Sequence, residues 1–186
     1  MWEVGSLAPR GTPLREVALP FLEDLYLVTR ENVQLAVREG AEVVFVERIT
    51  GRSAIPVLTR VGGRFALHAT GVGLVLLAHA PLEVLERVLD GELTRYTSAT
   101  IVDPGRLRRV LAGVRRDGYA VSRRAVTEDA LSVAAPILDG RGGVAAAVSL
   151  VVAAEGARPA ALVPVVRTAA RGISRAYARA GGSGLQ

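Results

Sequence analysis

The chain has 186 residues, half of them hydrophobic and 22% charged, a balance that fits one globular domain with a real core and excludes a disordered protein. It contains no cysteine, which excludes disulfides, thiol catalysis and cysteine-based zinc sites. The net charge of +5 is modest, and the 23 basic residues, all arginine, are scattered among 18 acids, which argues against a DNA-binding surface on this chain.

In chain order, Thr12 and Pro13 read as a cap and a first-turn proline opening the helix "PLREVALPFLEDLYLV", with a kink expected at Pro20. "NVQLAVREGAEVVFVERI" reads as a hairpin in which Val33, Leu35 and Val37 alternate with polar or small residues and Glu39-Gly40 turns the chain. "LHATGVGLVLLA" leads through Thr70, Gly71 and Gly73 into an apolar helix. Pro81 opens "PLEVLERVLD", with Leu82, Leu85 and Val88 on one face. Asp103 caps "PGRLRRVLAGVRRDG", whose buried stripe is Leu107, Val110, Leu111 and Val114 and whose stop is Gly118. "GYAVSRR" reads as a strand, and Pro159 opens a last helix with Leu162, Val166, Ala169 and Ile173 inward.

"ALSVAAPILDGRGGVAAAVSLVVAA" reads as a second hairpin around Gly140 to Gly143. A four-residue turn would pair Asp139 with Val144, Ser132 with Val151 and Ala134 with Ser149. Both serines then share one small, slightly polar face with Ala134, Ala145 and Ala147, and Val133, Ile137, Val144, Val148 and Leu150 take the other. A three-residue turn would separate the serines. A face of alanines and serines either admits a helix closely or leaves room for a ligand, and composition favours the helix. Hairpins with helices packed on them make the class α+β, with a mainly antiparallel sheet.

Catalytic machinery is hard to assemble. Only His68 and His79 offer an imidazole, neither in a recognised motif, and no serine lies in G-x-S-x-G. Glu128 and Asp129 read as solvated, and Arg167, Arg171, Arg175 and Arg179 as an exposed stripe on the last helix. No catalytic residue, metal ligand or cofactor is expected. Gly71-Val72-Gly73 is not a nucleotide loop, because Leu74, Val75 and Leu76 stand where such motifs need lysine, serine or a third glycine. The open amides and positive dipole of a helix start still attract a carboxylate. No run approaches the roughly 18 apolar residues of a membrane span, and "MWEVGSLAPRG" lacks signal-peptide character, so a cytoplasmic protein without membrane contact is expected.

Taken together, "WEVGSLAP", "LPFLEDLYLVTRENVQLAV", "VVFVERITG", "VGGRFALHATGVGLVLLA", "TSATIVDPGRLRRVLAGVRRDGYAVS" and "SVAAPILDGRGGVAAAVSLV" resemble, in order and spacing, the C-terminal effector-binding domain of the IclR (isocitrate lyase regulator) family of bacterial transcription regulators. The resemblance implies a GAF-like fold that binds a small metabolite and forms dimers or tetramers. In the family an N-terminal winged helix-turn-helix binds operator DNA. The chain is read as cut within the connecting segment rather than naturally short. Residues 1–11 are that segment, 12–180 the effector-binding domain and 181–186 a flexible tail.

The resemblance also implies a pocket. Gly71 and Val72 match amides that hold a carboxylate, Ala54 an apolar wall position and Ser149 a strand serine. Ser132 stands where many members have cysteine, and Ser122 where many have aspartate. Val151 replaces a second serine, and Leu74 replaces a common lysine. Such a pocket suits an effector with one carboxylate and an apolar or aromatic body. The rival readings are an enzyme on a GAF-like fold acting on a small acid, and a dimerisation module without ligand.

Overall fold

The computed structural model describes residues 8–182, with side chains from 13 to 181. In chain order the elements are α1 (Ala8–Thr29), β1 (Asn32–Glu39), β2 (Glu42–Ile49), β3 (Arg64–Ala66), α2 (Gly71–Ala78), α3 (Leu82–Asp90), α4 (Pro104–Asp117), β4 (Ala120–Arg123), β5 (Ala130–Leu138), β6 (Val144–Ala153) and α5 (Pro159–Gly182). The strands form one sheet in the order β3-β2-β1-β6-β5-β4, every neighbouring pair antiparallel. The expected α+β class with a mainly antiparallel sheet is what forms.

Alternation along the strands sends two sets of side chains to two helical layers. Val33, Leu35, Val133, Ile137, Val148 and Leu150 meet Leu14, Ala18, Leu22 and Leu25 of α1 and Val166, Ala170 and Ile173 of α5. On the other face Ala36, Phe45, Ala134 and Ala147 meet α2 and, beyond it, Leu107, Leu111 and Val114 of α4. The α2 helix is buried along its whole length, so its apolar "GVGLVLLA" is a core helix rather than a membrane segment. No helix among the described residues is long and apolar enough to cross a membrane.

Local signals place most elements well. Asp103 caps α4 by accepting from the Arg106 N–H at 2.6 Å, and Gly118 ends it at φ 75°. Pro81 and Pro159 stand at the starts of α3 and α5 as expected.

Several expectations are corrected. The α1 helix begins at Ala8 rather than after Thr12, placing Pro9 in its first turn, and it continues through Pro13 and Pro20. At the other end α5 runs to Gly182, so residues 181 and 182 of the expected tail are helical. The rest of that tail, and residues 1–7 of the connecting segment, lie outside the described residues.

Leu82 is 61% exposed, and Val84 and Leu89 join Leu85 and Val88 against the core instead. Leu82 is the first residue of its helix, where the chain is still entering the face set by the later turns. The short β3 was not anticipated, and it pairs with β2 through Glu42–Ala66, Val43–Phe65 and Val44–Arg64. In the first hairpin Glu39 pairs with Glu42, so Gly40 and Ala41 make the turn, one residue later than expected.

The second hairpin keeps the expected register by a different route. Ser132 pairs with Val151 and Ala134 with Ser149, but Leu138, not Asp139, pairs with Val144. Asp139 belongs to the loop, where its Oδ1 accepts from the N–H groups of Arg141 and Gly143 at 2.8 and 2.9 Å. A bulge between Ile137 and Leu138 leaves Ala145 as the extra residue and restores the register beyond it. The bulge also reverses alternation, so Val144 packs with the α2 side rather than with Val148 and Leu150.

Candidate functional site

The start of α2 rests directly on β5. A β-carbon at Gly71 would lie 2.5 Å from Ser132 Oγ, 3.1 Å from Ser132 Cβ and 3.4 Å from Ala134 Cβ. A β-carbon here would make the serine hydroxyl turn aside and the strand give slightly, so glycine and a small-residue sheet face together let the helix start come this close. Thr70 caps the helix: its Oγ1 accepts from the Gly73 N–H at 2.9 Å and its carbonyl accepts from the Leu74 N–H at 2.9 Å. The N–H groups of Gly71 and Val72 remain as the open donors of the first turn.

Those donors belong to residues that line a small cleft of about 50 Å³. Its floor is the sheet: Ser122 of β4, Ser132 of β5, Val151 of β6 and Gln34 of β1. Val57, Leu58 and Thr59, from the coil between β2 and β3, form one wall, and Ala125, Val126 and Thr127, between β4 and β5, form another. Among the described residues, no charged side chain lines it. An anion there would meet amides, hydroxyls and the positive end of the α2 dipole, but no counter-charge.

Gly71, Val72, Ser122 and Ser132 are thus brought to one cleft. Ser122 and Ser132 are directly paired across β4 and β5, and the Ser122 hydroxyl lies 3.4 Å from the Ala69 carbonyl. Ser149 and Ala54 do not line the cleft. Ser149 is fully buried behind it, its hydroxyl 3.4 Å from Gln34 Oε1. Ala54 lies in a turn of the coil between β2 and β3, donating its N–H to the Gly51 carbonyl at 3.3 Å. Leu74 points into the core with the rest of α2, away from the cleft.

Gln34, Thr59 and Thr127 were not anticipated from the sequence. Gln34 Nε2 donates to Thr59 Oγ1, and both residues are buried. Thr59 is held in turn by Arg48 Nη1, which donates to its carbonyl at 2.8 Å. The coil is further tied down by Asn32 Nδ2, which donates to the Ile55 carbonyl at 2.9 Å. One sequence signal was available for Gln34: it is the polar residue between Val33 and Leu35, in a strand that is buried on both faces.

The histidines are structural. His68 is buried two residues before the α2 cap, with Nε2 2.9 Å from the Thr94 carbonyl. Burial holds its imidazole below the ordinary value, partly opposed by that carbonyl bond. His79 Nδ1 lies 2.9 Å from the Val75 carbonyl at the end of α2. Glu128 and Asp129 are exposed, and no group of three or more potential metal ligands occurs among the described residues.

A six-stranded antiparallel sheet with two terminal helices on one face and a capped, buried helix beside a cleft on the other defines a GAF-like α+β domain. The chain belongs to the family described as bacterial transcriptional regulator IclR C-terminal, whose model matches residues 8–175. It is 36% identical over 174 residues to the HTH-type transcriptional regulator BhcR of Paracoccus denitrificans, covering 91% of this chain and 62% of the relative. It is 32% identical over 149 residues to KipR of Bacillus subtilis, covering 80% and 60%. The chain thus spans about three fifths of the length of these regulators.

Among solved structures, an IclR homologue from Microbacterium hydrocarbonoxydans complexed with 4-hydroxybenzoate matches with a TM-score of 0.89 and 41% identity, covering 96% of this chain and 73% of that one. Thermotoga maritima IclR matches with a TM-score of 0.83 and 31% identity, covering 89% and 68%.

Proposed function

We propose that this domain senses an aromatic monocarboxylate in the cleft beside α2, as part of a longer transcription regulator whose winged helix-turn-helix binds operator DNA. The observation that carries the reading is the convergence of the open Gly71 and Val72 amides with the Ser122 and Ser132 hydroxyls in one otherwise apolar cleft. Amides at a helix start suit a single carboxylate, and the valines and Phe45 suit a flat apolar body. The similar structure complexed with 4-hydroxybenzoate supports an effector of that class.

In this reading Ser122 and Ser132 bind the carboxylate with the amides, Ser149 acts through Gln34, and Ala54 supports the wall-forming coil. The protein works as a homo-oligomer in the cytoplasm, needs no cofactor and meets DNA only through the other domain. Effector binding shifts an equilibrium between subunit arrangements, by no more than its difference in affinity for them.

Thermal-shift and calorimetric titration with benzoate, 4-hydroxybenzoate, pyruvate and glyoxylate tests the reading. A true effector at a hundred times its Kd stabilises the domain by about 2.7 kcal/mol. Stabilisation by pyruvate or glyoxylate and by no aromatic acid would overturn it.

A further inference from the structure

We infer that Gln34 and Thr59 form a second polar end of the cleft that reads a neutral hydrogen-bonding substituent, a hydroxyl para to the effector's carboxylate. The inference rests on the aromatic-carboxylate reading above and adds to it the residues that choose among such acids.

The sheet sets the geometry. Gly71 sits over Ser132 and Ala134 of β5, whereas Gln34 belongs to β1, with β6 between them. Two strand spacings make this roughly 10 Å, which suits a para-substituted benzoate with a hydrogen bond at each end. Val151 of β6 also lines the cleft, placing an apolar side chain on the strand between the two polar ends.

The chemistry follows from counting hydrogen-bonding capacity. A glutamine amide has two N–H donors and a carbonyl that accepts twice. In Gln34 one donor goes to Thr59 Oγ1, and the carbonyl receives the Ser149 hydroxyl at 3.4 Å. One donor and one acceptor site remain, and the Thr59 hydroxyl retains its own proton. Gln34 is 3% exposed and Thr59 8% exposed, so water satisfies these groups only from within the cleft.

A phenolic hydroxyl, which both donates and accepts, matches that set. A methyl group in its place would displace water and leave the polar atoms unpaired. Both groups are held in place, Gln34 by a strand buried on both sides and Thr59 by the bond from Arg48 to its carbonyl.

Calorimetric affinities of the wild-type chain, Thr59→Val and Gln34→Leu for benzoate, 4-methylbenzoate and 4-hydroxybenzoate test the inference. The wild type is expected to favour 4-hydroxybenzoate over 4-methylbenzoate by roughly tenfold or more. Each variant should bring the two acids within about twofold of each other. Thr59→Val is nearly isosteric and carries the test if Gln34→Leu does not fold. Equal wild-type affinities, or a preference that survives in a folded variant, would overturn the inference and leave the aromatic-carboxylate reading standing. Failure of all three acids to bind would instead remove that reading, and this one with it.

Discussion

Gly71 and Ser132 touch across the junction of helix and sheet: a β-carbon on the glycine would fall 2.5 Å from the serine hydroxyl oxygen. One contact therefore serves two purposes. It seats α2 on the small-residue face of β5, and it brings the open amides of the helix start beside a hydroxyl in the cleft. The small-residue face of the sheet thus admits the helix closely and also borders the cleft.

Gly71→Ala should destabilise the domain by about 1–3 kcal/mol, because the added methyl overpacks Ser132. Alanine is otherwise the better helix residue, so a loss isolates the steric term. Urea unfolding measures it, and Gly71→Ala combined with Ser132→Gly should recover part of the loss. Unchanged stability in Gly71→Ala would show that the contact is loose.

Thr70→Val removes the bond from the Gly73 N–H to the cap oxygen and leaves that buried donor unpaired. A loss of roughly 1 kcal/mol is expected, with Thr70→Ser close to wild type. Thermal midpoints of the three proteins would show it.

Ser132→Ala and Ser122→Ala should each weaken benzoate binding several-fold, as the loss of one hydrogen bond to a charged group does. Ser149→Ala should affect benzoate less, because its hydroxyl meets Gln34 behind the cleft. Its effect belongs to the fold and to the preference for a para hydroxyl. Titration calorimetry separates the cases, and equal losses from Ser132→Ala and Ser149→Ala would contradict the assignment.

His68 links stability to pH. Burial holds its pKa in the folded chain below its ordinary value, so the unfolded chain binds the extra proton more readily. The imidazole's contribution is fully present above about pH 6.5 and is lost as pH falls from there through the folded pKa. Urea midpoints should decline across that window, and more steeply than in His68→Gln. Parallel declines in the two proteins would assign the effect to other groups.

The sequence by itself determined whatever depends on near neighbours in the chain. Asp103 and Gly118 bracket α4, Pro159 opens α5, and alternation marks Ala130–Leu138 and Val144–Ala153 as strands, although the turn length left open whether Ser132 and Ser149 share a face. These are caps, fixed φ angles and period-two patterns, and their physics is complete within a few residues. The ordered motifs that resemble the IclR family added a fold which the structure shares.

Only the tertiary structure decided the rest. The bulge at Ile137 and Leu138 turned Val144 to the other face while keeping the serine register, a balance set by the Asp139 loop and the core together. Leu82 went to solvent because packing, not periodicity, chooses which turn of a short helix meets the core. Gln34 and Thr59 lie 25 residues apart, joined by a strand and a coil whose path no local pattern dictates. Which hydroxyls share the cleft, and which merely support it, depends on where that coil settles, since a polar group buried by a distant segment is paid for only by contacts formed in the complete fold.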